Sequence, residues 1–182
     1  MEILVIRVMD SRLAQRFTCI VSGPTGSGKS VFTLKLIEHA HEIISPPSER
    51  ILFCYGEYQK IFDNYPEVEF HDGLRDMSSF EGKKRTLLVI DDLMTITDDR
   101  VVDIFTNISY HRNISVEHLT QNLFYKNKQT RTLSLNSHYI VLFKNAHDAT
   151  QVANLARQIY PGKSAFVIEA FKNATSAPYG YL

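Results

Sequence analysis

Apolar residues along this chain gather in short runs, separated by stretches of helical period. Phe17-Thr18-Cys19-Ile20-Val21-Ser22 reads as a buried strand. Ile51-Leu52-Phe53-Cys54-Tyr55 is a second that stops at Gly56, and Val68-Glu69-Phe70-His71 a third that closes at Asp72-Gly73. Thr86 to Ile90 is a fourth, ending in Asp91-Asp92, and Ser115 to Thr120 a fifth that delivers Gln121 at its C-terminal end. Tyr139-Ile140-Val141-Leu142-Phe143 is a sixth, and Ala165 to Ile168 is predicted as a further strand. Between the runs the period changes. Val31, Leu34 and Ile37 recur at helical spacing, with Phe32, Leu36 and Ala40 in the adjacent row, until the breaker Ser45-Pro46-Pro47-Ser48. Thr97-Asp98-Asp99 starts a helix carrying Val101, Ile104, Phe105 and Ile108. Asp148 caps another that carries Val152, Leu155 and Ile159 and ends at Pro161-Gly162. Strands alternating with helices predict an α/β fold, a mostly parallel sheet flanked by helices on both faces. No repeat, low-complexity tract or linker divides residues 1–182, which read as a single domain.

Composition narrows the function classes. A hydrophobic content of 44% and a charged content of 22% belong to an ordinary globular protein. The formal net charge is zero, so the surface as a whole does not attract polyanions, and any such contact needs a local patch. The longest apolar runs, such as Leu87-Leu88-Val89-Ile90, are too short to cross a bilayer, and no membrane partner is expected. The start, Met1-Glu2-Ile3-Leu4-Val5-Ile6-Arg7, has an early acid and too short an apolar core for a secretion signal, so an intracellular, non-secreted protein is expected. Cys19 and Cys54 both fall inside predicted strands and read as buried thiols rather than a disulfide framework. The histidines do not cluster at metal-ligand spacing; His39 and His41, two apart on a helix, face different ways.

The chemistry concentrates in Gly23-Pro24-Thr25-Gly26-Ser27-Gly28-Lys29-Ser30, a glycine, four residues, then Gly-Lys-Ser. A loop of this pattern turns backbone N–H groups inward around nucleotide phosphates, and its glycines let phosphate oxygens approach where a Cβ would collide. A strand precedes it and a helix follows, the order that points a helix N-terminus at an anion. Lys29 would reach the β- and γ-phosphates, and the Ser30 hydroxyl would ligate Mg²⁺, with ATP as the nucleotide.

Asp91 ends an apolar strand, and in a parallel sheet the C-terminal strand ends line one crevice. It can then share the Mg²⁺ with Ser30, directly or through water, while Asp92 polarises the attacking water. Taken alone, the same two acids also fit an ordinary turn after a strand. Gln121 would sit near the γ-phosphate if its strand inserts between the loop strand and the Asp91 strand. There it would position water or sense hydrolysis; otherwise it is a glutamine in an exposed loop. Arg112, in Tyr110-His111-Arg112-Asn113, either complements a helix C-terminus or serves as an arginine finger towards a neighbouring subunit, with Arg131 as the rival finger. Tyr125-Lys126-Asn127-Lys128-Gln129-Thr130-Arg131 mixes one aromatic with three cations and reads either as a DNA contact or as a solvated loop. Lys83-Lys84-Arg85 precedes a strand, at the sheet end away from the nucleotide, and reads as a solubilising turn.

A guanine clamp of the Asn-Lys-x-Asp type is missing, since Lys144-Asn145-Ala146-His147-Asp148 has the letters in another order. No arginine-bearing lid of a small-metabolite kinase is evident. Several blocks carry a family resemblance: the phosphate loop; Tyr55-Gly56-Glu57-Tyr58-Gln59; Leu88-Val89-Ile90-Asp91-Asp92-Leu93-Met94; and His111-Arg112-Asn113-Ile114-Ser115-Val116. Leu119-Thr120-Gln121-Asn122-Leu123-Phe124 and Leu135-Asn136-Ser137-His138-Tyr139 complete the set. Together they resemble the genome-packaging ATPases of Maverick/Polinton elements and related DNA viruses, within the FtsK–HerA superfamily of P-loop NTPases. The resemblance spans nearly the whole chain from Phe17 on.

It implies a RecA/FtsK–HerA-like fold with an additional strand in the sheet. It implies a ring-forming homo-oligomer, hexamer or pentamer, that uses ATP and Mg²⁺ to drive double-stranded DNA into a capsid. Capsid portal or vertex proteins would be partners, and the location would be the host nucleus or cytoplasm, with virion association during assembly. Lys29, Ser30, Asp91, Asp92 and Gln121 take their usual roles by motif. The family generally runs on past the equivalent of Tyr179-Gly180-Tyr181-Leu182, which puts a last strand and later arginines beyond this sequence. The other readings of the residues are a nucleotide-binding but catalytically silent relic or assembly scaffold, and a metabolite kinase.

Overall fold

The computed structural model describes residues 12–77, 80, 82–91, 99–123, 128–145 and 149–182. A two-residue strand β1 (Leu13–Ala14) precedes β2 (Thr18–Ser22), which is buried along its whole length. The chain continues through α1 (Lys29–Glu38), the short α2 (Ala40–Ile43) and β3 (Ile44–Ser45), which pairs with β1. Next come β4 (Arg50–Tyr55), a 3₁₀ turn over Lys60–Asn64, β5 (Glu69–Asp72) and β6 (Thr86–Asp91). Helix α3 (Asp99–Asp103) runs through a π-helical segment, Ile104–Ile108, into α4 (Ser109–His111). Strand β7 (Ile114–Thr120), helix α5 (Lys128–Leu135), β8 (Tyr139–Leu142), α6 (Ala149–Ile159) and α7 (Ser164–Ala174) complete the chain.

Six strands form the main sheet in the order β5-β4-β6-β7-β2-β8, every neighbouring pair parallel. Parallel pairing needs crossovers that cover both faces, and so the central strands read as continuous apolar runs. Strand β7 inserts between β2 and β6, setting Ser22 opposite Thr120 and Asp91 opposite Leu119. The strand ends carrying the phosphate loop, Asp91 and Gln121 therefore share one edge of the sheet.

Alternation divides the core in two. Cys19, Val21, Leu87, Val89 and Leu119 pack under α1 with Leu34 and Ile37. Ile20, Leu88, Ile90 and Val116 point the other way, towards Val101, Ile104, Leu133, Leu155 and Phe171 of the helices on the opposite face. Both cysteines are free and buried, as their place in strands predicts.

One element differs from its prediction. Residues 165–168 are not a strand but the first part of α7. Adjacent Val167 and Ile168 look β-prone, yet Ser164, Val167, Ile168, Phe171 and Thr175 all avoid full exposure, which is helical period, and α7 packs on α6. Two of the resembling blocks act as clips at the far end of the sheet. The Thr18 N–H donates to His138 Nδ1 at 3.0 Å, and Thr18 Oγ1 donates to the Asn136 carbonyl at 2.7 Å, fixing the start of β8 to β2. Asn113 supplies the left-handed turn (φ 57°) between α4 and β7, a conformation asparagine tolerates. After α7 the chain returns to β8: the Leu142 and Leu182 backbones exchange hydrogen bonds of 2.7 and 3.0 Å, and Tyr181 forms an antiparallel bridge to Phe143.

Candidate nucleotide site

The loop from Gly23 to Gly28 joins β2 to α1 by a tight turn, with the Ser27 N–H donating to the Pro24 carbonyl at 3.1 Å. Gly26 and Gly28 hold φ of 75° and 101°, where an L side chain is strained. At Gly23 the constraint is steric. A Cβ there would lie 2.6 Å from Phe143 Cβ and 2.7 Å from Ser27 Oγ. The Gly23 N–H donates to the Thr120 carbonyl at 3.1 Å, so the start of the loop is fixed to the end of β7, next to Gln121.

No side chain caps α1; Gly28 occupies the cap position. The first turn of any helix presents amides without an intrahelical acceptor, and they carry its positive dipole end. Ser27 Oγ is buried without a hydrogen-bond partner, a polar atom in the loop wall that a ligand oxygen would satisfy. Lys29 is 7% exposed, and its ammonium donates to the Gly23 carbonyl at 2.7 Å and the Pro24 carbonyl at 3.1 Å. The cation thus lies over the loop itself. The tip of the loop, Thr25 and Gly26, is exposed; a groove of about 370 Å³ lined by Leu74, Met77, Arg100, Ile104 and Arg112 lies elsewhere, across the sheet from α1.

Ser30 Oγ donates to Asp91 Oδ2 at 3.0 Å. Both oxygens suit a hard divalent cation, and cis ligands of an octahedral Mg²⁺ with bonds of 2.0–2.1 Å lie about 2.9 Å apart. The pair fits Mg²⁺. Among the described residues no group of three or more histidine, cysteine, aspartate or glutamate side chains is placed to hold a metal ion.

One turn further along α1, Thr33 Oγ1 donates to Glu117 Oε1 at 2.6 Å. Glu117 is fully buried in the middle of β7, and its Oε2 has no partner. Burial pushes its carboxyl up to about 7, the Thr33 bond opposes that rise, and the charge of Asp91 adds to it. Burial raises the Cys19 thiol well above its ordinary value, with the Glu117 charge adding to that rise. Neither Thr33 nor Glu117 was singled out by motif. A lone acid inside Ile114-Ser115-Val116-Glu117-His118-Leu119 was the available signal.

The structure brings together Gly23 to Ser30, Asp91 and Gln121. Asp92 lies outside the described residues, as do Thr97, Asp98, residues 125–127 and Asp148. Arg112 stands at the other end of β7, where its guanidinium donates to the carbonyls of Met77 and Phe80, the latter at 2.9 Å. Arg131 is exposed on α5. Lys83, Lys84 and Arg85 precede β6 at the end away from the loop, where Arg85 bonds the Pro47 carbonyl and Glu49.

No protein-family model matches the sequence, and no curated protein matches it. Solved structures do. The genome packaging NTPase B204 of Sulfolobus turreted icosahedral virus 2, in complex with sulfate, aligns with a TM-score of 0.53 and 17% identity over 91% of this chain and 89% of that one. The same protein in complex with AMPPCP gives 0.52 and 13% over 85% and 86%. The cytoplasmic domain of EssC gives 0.50 and 11% over 75% of this chain and 33% of that one. The mostly parallel sheet with helices on both faces, the glycine loop on β2 and the inserted β7 are thus the fold of the P-loop NTPases, and a viral genome packaging NTPase is among the structures this chain resembles.

Proposed function

We propose that the protein is an ATPase that couples hydrolysis to translocation of double-stranded DNA, packaging a viral or virus-like genome into a capsid. The observation that carries the nucleotide part is the Ser30–Asp91 hydrogen bond beside a loop whose carbonyls Lys29 bonds and which runs into the N-terminus of α1. In this reading the loop amides from Gly23 to Ser30 hold the phosphates and Lys29 neutralises the terminal ones. Ser30 and Asp91 would hold magnesium, which when bound supplies positive charge to the β- and γ-phosphate oxygens. Asp92 accepts the proton of the attacking water, and Gln121, on the strand tied to Gly23, orients that water or reports the loss of the γ-phosphate.

The DNA part is supported by the resemblance of the sequence blocks. The zero net charge fits a binding surface made only when subunits surround the duplex. Arg112 is engaged with two carbonyls of its own chain, so the cation offered to a neighbour is assigned to Arg131. The test is ATP turnover with and without linear double-stranded DNA, on a preparation whose particle mass is measured in parallel. The expected result is a ring whose turnover rises with DNA and vanishes in Lys29→Ala. A ring whose turnover ignores DNA would overturn translocation; a ring that binds ATP without turning it over would leave the scaffold reading.

A further inference from the structure

The phosphate end of the site has a direction. Asp91 lies on β6, with β7 between it and the loop strand, so the terminal phosphate with its cation belongs on the β7 side of β2. The opposite end of a nucleoside triphosphate then leaves on the β8 side. On that side stands an aromatic group that no phosphate chemistry explains.

Tyr179 Cδ1 lies 3.2 Å, and Phe143 Cε1 3.7 Å, from where a Cβ on Gly28 would be. Tyr179 is nevertheless 71% exposed. Its ring therefore touches the last loop glycine while most of its surface stays open. Its backbone sits at φ 60°, a region costly to a bulky residue, so the packing of the flanking segment rather than local preference fixes where it stands.

That packing is specific. Gly180 lies so close to the Ala174 carbonyl that no Cβ fits between them. Tyr181 bridges Phe143, and its ring packs 4.7 Å from Phe32 and 5.3 Å from Phe143, while Phe32 and Phe143 meet edge to face at 6.0 Å. Three rings, from α1, the residue after β8 and the segment after α7, thus pack together and tie the chain next to Tyr179 beside the phosphate loop.

We propose that Tyr179 is the stacking platform for the base of the bound nucleotide, carried on the segment that Tyr181 ties to Phe143 and Phe32. The inference rests on the reading of the loop as a nucleoside triphosphate site and adds what recognises the nucleoside. A ring offers a π face and no edge pattern, so the platform accepts either purine and holds the smaller pyrimidines more weakly.

The test compares ATP with inorganic tripolyphosphate, which has the phosphates but no base, both with magnesium and read by calorimetry on the full chain. Tyr179→Ala is expected to weaken ATP about tenfold and leave tripolyphosphate unchanged, while Tyr179→Phe keeps both. The chain contains no tryptophan, so Tyr179→Trp creates a lone reporter whose fluorescence ATP should quench and tripolyphosphate should not. Equal loss of both ligands in Tyr179→Ala, or no loss of ATP, would overturn the platform alone. A wild-type protein that binds neither ligand would overturn the platform and the nucleotide site together.

Discussion

Strand β2 has two unlike neighbours. On its β7 side Ser22 faces Thr120, next to Gln121, with the buried Glu117 opposite Cys19 and Asp91 one strand further on β6, a flank of hydrogen bonds and charge. Towards β8 it meets Phe143, with Tyr181, Phe32 and Tyr179 grouped behind it, a flank of rings. Phosphate oxygens carry fixed charge and need donors held to a few tenths of an ångström, which backbone geometry and short side chains supply. A base presents a broad apolar face, and stacking on it tolerates more slack. In the proposed reading the two flanks serve the two ends of one nucleoside triphosphate.

The strongest way to break the comparison is at the polar flank. Lys29→Ala should cost on the order of 10²–10³-fold in ATP turnover while leaving the melting temperature nearly unchanged, because its ammonium donates to the loop carbonyls of Gly23 and Pro24. A variant that loses stability instead would make Lys29 a structural residue. On the aromatic flank the balance should reverse. Phe143 is 4% exposed, and Phe143→Ala should cost about 3–4 kcal/mol of stability in urea titration.

Glu117 sharpens the contrast through pH. Its carboxyl stands above the ordinary 4.5, at about 7, so the folded state holds the proton more tightly than the unfolded chain. Stability is therefore full below about pH 4.5 and falls as pH rises to about 7, by on the order of 2–3 kcal/mol. Glu117→Gln keeps an acceptor for Thr33 and cannot titrate, so from pH 5 to pH 8 the difference should move in the variant's favour. A gap that stays constant across that range would place the charge outside the apolar layer. The smallest effect concerns Arg112. Arg112→Lys should lower stability by about 1 kcal/mol through its bonds to Met77 and Phe80, with turnover per folded ring unchanged. Lost turnover at unchanged stability would restore the finger role.

The polar flank was legible in the sequence because its requirements are local. Gly26 and Gly28 are dictated by positive φ, Lys29 and Ser30 by their offset from the loop, and Asp91 and Gln121 by falling where apolar runs stop. The aromatic flank was not, because nothing near Tyr179 or Tyr181 tells where Phe143 and Gly28 lie. Glu117 was hidden for another reason: a strand buried on both faces has no outward position to which a lone acid is assigned. Val167-Ile168 misled by composition, since one face of a helix and a short strand share that dipeptide. The role of Arg112 depends on the path of the chain near residues 77–80, a purely tertiary matter.

Asp91 and Glu117 stand one helical turn apart beneath the same ten-residue helix. An incoming polyphosphate would meet the Asp91 carboxylate beside its landing place, with the Lys29 ammonium and the helix end as counterweight and Glu117 buried behind them. Free tetra-anion is disfavoured there, and the complex already neutralised by a divalent ion is not. In the proposed reading nucleotide and cation enter as one particle, and chelating the cation should loosen the nucleotide as well as halt turnover.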